Sequence, residues 1–106
     1  MKLINMTPHE VNYFDNQGFR HSIPAGCKVF RVRMDSKLEH SENDINFYSL
    51  TTIPVDELPV KKDTVYIVSR LVKECFPKRL DVVCPGEPVY DSDGNKIGCK
   101  GFSSIL

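Results

Sequence analysis

Prolines, glycines and Asn/Asp-Gly turns divide this chain into short segments. The 106 residues include seven prolines and six glycines, residue types that interrupt helices and favour tight turns. The segments between them are rich in β-forming residues, which is typical of strands. The pattern therefore predicts a small, β-rich α+β domain of short, mostly antiparallel strands, with one short helix at about residues 69–76.

Length and charge narrow the class of protein. A chain of this length fits a single globular domain, residues 1–106, with a modest core that needs no metal or disulfide. Lys plus Arg equals Asp plus Glu at 14 each, so net charge favours neither nucleic acid nor an anionic membrane as a partner. Because no apolar run resembles a signal peptide or a membrane-spanning helix, we expect a cytoplasmic protein with free cysteines.

Several segments carry clear structural signals. Residues 11–23 predict a hairpin, because two β-rich runs flank the turn sequence DNQG. Residues 63–68 are the most apolar run, which is typical of a strand buried on both faces. Residues 35–46 are polar and have no clear period, which predicts a surface loop. Ser69 is a favourable N-cap for the helix, and Pro77 ends it.

The cysteines and histidines match no metal-binding pattern. The four cysteines include no C-x-x-C pair, and the three histidines have no H-x-H or H-E-x-x-H spacing. We therefore predict no metal site and no cofactor. Cys84, before the rigid Pro85-Gly86 turn, is the best nucleophile candidate among the cysteines, and packing in the core is the alternative interpretation.

The start of the predicted helix is a candidate anion site. N–H groups at a helix N-terminus and the forked Arg side chain both suit phosphate or carboxylate. Ser69 and Arg70 lie there, and Arg79 adds charge nearby in the sequence. The alternative is that Ser69 only caps the helix and Arg70 is solvated. His9 follows Pro8 at a break between strands, a loop position of the kind that often carries function.

Both ends of the chain resemble a family of small phage, prophage and bacterial proteins. At the N-terminus the shared feature is N-M-T-P-H, residues 5–9, between two strands. In residues 65–102 it is a strand, a short helix, an Asp-Val-Val-Ser-Pro-Gly segment and a D-x-x-G hairpin. Residues 34–59 are the weak part. Cys84 stands where the family has serine, which favours a role for the backbone shape over the sulfur.

The resemblance implies a phage setting and, by analogy with the Thoeris anti-defence proteins, a sponge for an immune signal. Such a protein would bind and sequester a phosphate-bearing, nucleotide-derived ligand in the host cytosol, as a homo-oligomer with sites near its subunit interfaces. No residue is then catalytic. The expected ligand-binding residues are Thr7, His9, Tyr66, Ser69, Arg70, Arg79, Cys84, Pro85, Gly86 and Phe102.

Two other functions stay open on the sequence. One is a protein that inhibits a host protein by binding it, or an accessory phage protein, and its sign would be an exposed apolar patch. The other is a small hydrolase or lyase that uses His9 as general base.

Overall fold

Strands dominate the structure, a computed structural model that describes residues 1–105. They form two four-stranded sheets and a separate two-stranded hairpin. The elements are β1 (Lys2–Asn5), β2 (Val11–Phe14), β3 (Arg20–Ile23), β4 (Val32–Glu42), β5 (Ile45–Pro54), β6 (Thr64–Ile67), α1 (Arg70–Lys73), β7 (Val82–Pro85), β8 (Pro88–Tyr90), β9 (Lys96–Lys100) and β10 (Phe102–Ser103). Within the described residues, no helix has the length and apolar character needed to cross a membrane.

The first sheet has the strand order β1-β6-β7-β10. Its strands β1, β6 and β7 run parallel, and β10 is antiparallel to β7. In the middle of the sheet, the β6 residues Tyr66 and Ile67 point to opposite faces and are 4% and 0% exposed. The prediction of a strand buried on both faces at residues 63–68 is therefore confirmed.

The second sheet has the order β3-β2-β9-β8 and packs on one face of the first. Val11 of β2, Ile67 of β6 and Val83 of β7 form the buried cluster between the two sheets. The hairpin predicted over residues 11–23 is present as β2 and β3, whereas β2 pairs with β9 in parallel. The β-rich prediction thus holds, with parallel and antiparallel pairs mixed in both sheets.

A second apolar cluster covers the other face of the first sheet. Phe30, Leu58 and Val72 of α1 pack there against Tyr66 and Val82. The folded body therefore has three layers, and burial of each of these side chains contributes about 1.5–3 kcal/mol. The central layer, the first sheet, is enclosed on both faces, and this leaves its strand ends as the exposed parts.

Helix α1 is shorter than the sequence predicts. The prediction of a helix over about 69–76 is correct at its start, where the Ser69 hydroxyl accepts a hydrogen bond from Val72 N at 3.4 Å. After Lys73 the chain tightens, because Cys75 N and Phe76 N bond to carbonyls three residues earlier. Such bonds form a 3₁₀-type turn, which replaces the last turn of the expected helix.

The predicted surface loop at residues 35–46 is wrong in its secondary structure. These residues lie in β4 and β5, which pair only with each other, from Val32–Pro54 to Glu42–Ile45. We call residues 32–54 the arm. Beyond its partly buried root, residues 32 and 52–54, both faces of the arm are exposed, so no buried side imposes a clear alternation on the sequence. At its tip, Asn43 and Asp44 have φ of 52° and 63°, as a two-residue type I′ turn requires.

Candidate functional site

A cleft of about 650 Å³ opens at one edge of the first sheet. Because β1, β6 and β7 are parallel, their carboxyl ends meet at this edge. The residues that follow or end these strands line the cleft at 7–12, 68–70 and 85–86, and residues 96–99 of β9 form the opposite wall. The volume is in the range of small-molecule sites, and open α/β sheets bind ligands at the carboxyl ends of their strands.

The cleft brings together residues from three separate segments that the sequence singled out. Of the predicted ligand-binding residues, those that line it are Thr7, His9, Ser69, Arg70, Pro85 and Gly86. The other predicted residues, Tyr66, Arg79, Cys84 and Phe102, are not part of its lining.

The break between β1 and β2 is held rigid by a buried asparagine. Asn5 Nδ2 donates to His9 O at 2.8 Å and to Pro24 O at 2.9 Å. Asn5 Oδ1 accepts from Thr7 N at 2.9 Å and from the Thr7 hydroxyl at 2.6 Å. Asn5 and Thr7 are 6% and 8% exposed, so these bonds satisfy groups that would be costly to bury alone. Pro8 and His9 are presented outward to the cleft.

A close backbone approach next to Asn5 requires a glycine. A Cβ built on Gly26 would lie 2.0 Å from Asn5 O, which no side chain tolerates. Gly26 N also donates to Thr7 O at 3.0 Å. The Pro24–Gly26 turn therefore packs against the β1–β2 break and supports it, although the residues of that turn do not line the cleft.

The Pro85-Gly86 turn is fixed in a similar way. Gly86 N donates to Gly101 O at 2.9 Å, and a Cβ on Gly86 would lie 2.5 Å from Lys100 O. On the facing wall, a Cβ on Gly98 would lie 2.9 Å from Asn12 O. Both glycines thus allow backbones around the cleft to pack closely against one another.

Charged side chains stand at the rim of the cleft. Arg70 and Lys96 supply two cations, and Glu10 supplies one carboxylate. The Arg70 side chain is 77% exposed and its nearest carboxylate oxygen, on Glu74, is 3.9 Å from Nε. That distance exceeds a hydrogen bond, so the Arg70 guanidinium retains donors for a ligand.

Ser69 has a structural role that limits what it offers a ligand. Its hydroxyl oxygen accepts the Val72 N–H as the N-cap of α1. The helix itself does not supply the anion site that the sequence predicts at its N-terminus, because four residues align too few peptide dipoles. Positive charge at this end of the cleft comes from the Arg70 side chain.

Tyr66 and Arg79 are structural residues away from the cleft. Tyr66 is buried in the core, and its hydroxyl donates to Pro59 O at 2.7 Å. Arg79 forms a two-pronged pair with Asp81, with bonds of 3.0 and 2.6 Å, and also donates to Leu58 O. This pairing raises the pKa of Arg79 and lowers that of Asp81. Both predicted residues are fully occupied in holding the fold.

Cys84 and Phe102 also belong to the interior. Cys84 is 2% exposed, and burial raises the pKa of its thiol despite the nearby charges of Arg70 and Lys73. A raised thiol pKa opposes nucleophilic reactivity. Phe102 packs at the cluster between the sheets, with its ring 5.2 Å from that of Tyr13. Neither side chain is placed to contact a ligand in the cleft.

Sequence reasoning missed two charged residues of the cleft, Glu10 and Lys96. Lys96 is far from residues 7–10 in the sequence, and it reaches the cleft because β9 pairs with β2. Glu10 directly follows His9, so its position next to the predicted break was a usable signal.

The described residues contain no group of three His, Cys, Asp or Glu side chains arranged to hold a metal ion. Neither a protein-family model, nor a curated protein, nor a solved structure matches the chain. The cleft is therefore interpreted from its own chemistry.

Proposed function

We propose that the protein binds a small, phosphate-bearing, nucleotide-derived ligand in the cleft and holds it without chemical change. The observation that carries the proposal is the meeting of the 7–10 break, Arg70, the Pro85-Gly86 turn and Lys96 around one cleft of about 650 Å³. A ligand of nucleotide size fits such a volume.

The two cations at the rim favour an anionic group on the ligand. Arg70 presents a planar fork that matches two phosphate oxygens, and Lys96 adds a flexible point charge. Pro8 and Ile97 give the cleft apolar surface on which a base or sugar can lie. Glu10 is an acceptor suited to a ligand hydroxyl.

The hydrogen bonding and burial of the candidate reactive groups favour ligand binding without turnover. A general base is normally oriented by a partner, and within residues 1–105 the His9 imidazole has no hydrogen-bond partner. The Thr7 hydroxyl is used in the bond to Asn5. The Cys99 thiol, which lines the cleft, and the Cys84 thiol behind it are both buried, and burial raises the pKa of each. Among the described residues, no activated nucleophile therefore faces the cleft.

In biological terms, we propose that this binding sequesters a host immune signal during phage infection. Its support is the resemblance of residues 5–9 and 65–102 to small phage proteins, together with the analogy to known sponges. The chemistry of the cleft supports the ligand class, and the resemblance supports the setting.

Calorimetric titration with AMP, cyclic dinucleotides and ADP-ribose tests the ligand class. We expect binding of at least one, and a loss of about 10-fold or more in affinity on Arg70→Gln, since a charge-assisted hydrogen bond is worth about 1.5–3 kcal/mol. Arg20→Gln is the matched control, because Arg20 is an exposed cation of β3 outside the cleft. Absence of binding by all three ligands, or equal losses in both variants, would contradict the proposal.

The fate of the ligand separates holding from catalysis. After prolonged incubation the protein is denatured and the released small molecule is measured by mass spectrometry. Intact ligand in stoichiometric yield is expected. Conversion of the ligand that is abolished by His9→Ala would instead identify the protein as an enzyme.

A further inference from the structure

Three lysine-bearing segments that are separate in the sequence meet at the edge of the first sheet opposite the cleft. Because β1, β6 and β7 are parallel, their amino ends lie together at this edge. Lys2 N donates to Asp63 O at 2.6 Å, and Tyr66 N donates to Asp81 O at 2.7 Å. The segments that precede β6 and β7 therefore lie beside each other and beside the start of β1, and the outer two of these three strands are about 10 Å apart.

The side chains of these segments give the edge a positive charge. Its four lysines are all exposed, and among the described residues none of them forms an ion pair. Asp81 is paired with Arg79 at 2.6 Å, so Asp63 is the one carboxylate left, and four lysines against it give a net charge of +3. The net charge of zero for the whole chain thus averages over an uneven distribution. We call the following set the basic edge: Lys2, Lys61, Lys62 and Lys78, with the neighbouring Val60 and Leu80.

The basic edge also exposes aliphatic surface. Val60 and Leu80 are 78% and 65% exposed, and each lies within two positions of a lysine in the chain. Residues 60–63 and 78–81 include no aromatic side chain. Their one arginine, Arg79, is occupied by Asp81 and by Leu58 O. The edge therefore offers a partner lysine charge and aliphatic side chains, without a free guanidinium or a stacking ring.

We propose that the basic edge docks the protein on a lipid bilayer that carries anionic headgroups. Lysines close to such a leaflet are attracted to its negative surface potential, and aliphatic side chains beside them can enter the boundary between headgroups and acyl chains. Nucleic-acid sites use arginine forks and aromatic stacking, and protein interfaces are depleted in lysine. The composition of the basic edge therefore fits an anionic bilayer better than either of these partners.

Docking through the basic edge leaves the cleft accessible. The cleft lies at the carboxyl ends of β1, β6 and β7, and a strand of four residues separates the two edges by about 13 Å. The cleft therefore opens away from the bilayer, and a ligand can enter it while the chain is bound. Each lysine near an anionic leaflet contributes about a 5-fold factor to binding, so four lysines and two aliphatic side chains indicate a reversible attachment.

Co-sedimentation with lipid vesicles tests the surface. At low salt the wild-type chain should bind vesicles of phosphatidylcholine with about 30% phosphatidylserine and should not bind phosphatidylcholine alone. The double variant Lys61→Gln, Lys62→Gln should bind about 10-fold or more weakly. The control is Arg20→Gln with Lys37→Gln, which removes two exposed cations of β3 and the arm and should stay within about 2-fold of the wild type. Absence of binding to the serine-containing vesicles, equal binding to both vesicles, equal losses in both double variants, or tighter binding to a single-stranded RNA oligonucleotide would overturn the proposal.

A tryptophan probe tests which part of the chain enters the bilayer. The sequence contains no tryptophan, so Leu80→Trp gives a single fluorophore on the basic edge. Leu50→Trp is the matched control in the arm, because Leu50 is 64% exposed and Leu80 is 65% exposed. On addition of the serine-containing vesicles, the emission of Leu80→Trp should shift to shorter wavelength, and that of Leu50→Trp should not. A shift in Leu50→Trp, or no shift in Leu80→Trp, would show that the basic edge is not the part that contacts the bilayer.

Discussion

At the residue scale, the N-M-T-P-H segment, residues 5–9, contains two kinds of residue. Asn5 and Thr7 hold the turn, and Pro8 and His9 are exposed to the cleft. The sequence predicted that this segment is part of a ligand site, and Thr7 and His9 line the cleft. What the sequence did not reveal is that Asn5 and Thr7 bond to each other and hold the turn. Residue type alone does not separate these two roles, because Asn and Thr side chains can bind a ligand or stabilise a turn equally well.

Loss of the Asn5 side chain should destabilise the fold. Asn5→Ala removes the partners of Thr7 N, His9 O and Pro24 O. We expect a decrease of about 2–4 kcal/mol in the free energy of unfolding, because several buried polar groups are left unsatisfied together. Urea unfolding at neutral pH measures it.

A matched control comes from the exposed turn of the β2–β3 hairpin. Asn16→Ala there should change the free energy of unfolding by no more than about 0.5 kcal/mol. Equal effects of Asn5→Ala and Asn16→Ala would show that the bonds around Asn5 are not a support of the β1–β2 break.

At the element scale, local signals predicted the elements that have a buried side. The hairpin at 11–23 and the strand at 63–68 were identified from turn residues and from an apolar run. The arm was missed because its strands are exposed on both faces and have a bulge between Leu38 and His40, which interrupts the alternation. The length of α1 was missed because Lys73 turns inward, where its ammonium donates to Phe76 O and Arg79 O.

The root of the arm should respond to acid through one ion pair. Asp56 accepts three hydrogen bonds from Arg31, one from its backbone N and two from its guanidinium. These bonds lower the pKa of Asp56 from 3.8 to about 2. Because the pKa in the folded state lies below the unfolded value, the stabilisation is present above pH 4 and is lost as the pH falls through about 2.

Hydrogen exchange at the Arg31 and Val55 amides, measured by NMR between pH 2 and 5, tests this response. After correction for intrinsic exchange, protection should decrease towards pH 2 in the wild type and be low and nearly constant in Asp56→Asn. Asp35→Asn is the control, because its carboxylate is 54% exposed and 3.6 Å from Arg33. If the wild type shows the same pH profile of amide protection as Asp56→Asn, the Arg31–Asp56 pair does not stabilise the root of the arm.

At the scale of the whole molecule, the cleft and the arm are separate parts of the structure. The cleft is formed by segments after β1, β6 and β7 and by β9, and no residue of the arm lines it. Sequence patterns located most of these segments but not their arrangement. The parallel pairing of Tyr13 with Cys99 joins positions more than 80 residues apart, and a long-range contact of this kind has no local signal in one sequence.

Removal of the arm should therefore leave the body and the cleft intact. Arg33 and Ile53 are directly opposite in the ladder, so Asn-Gly in place of residues 34–52 gives a two-residue hairpin turn. Phe30 and Val32 keep their places against the core below the cut. Calorimetry should give a ligand affinity within about 2-fold of that of the wild type. A folded, armless chain that no longer binds ligand would show that the cleft depends on the arm.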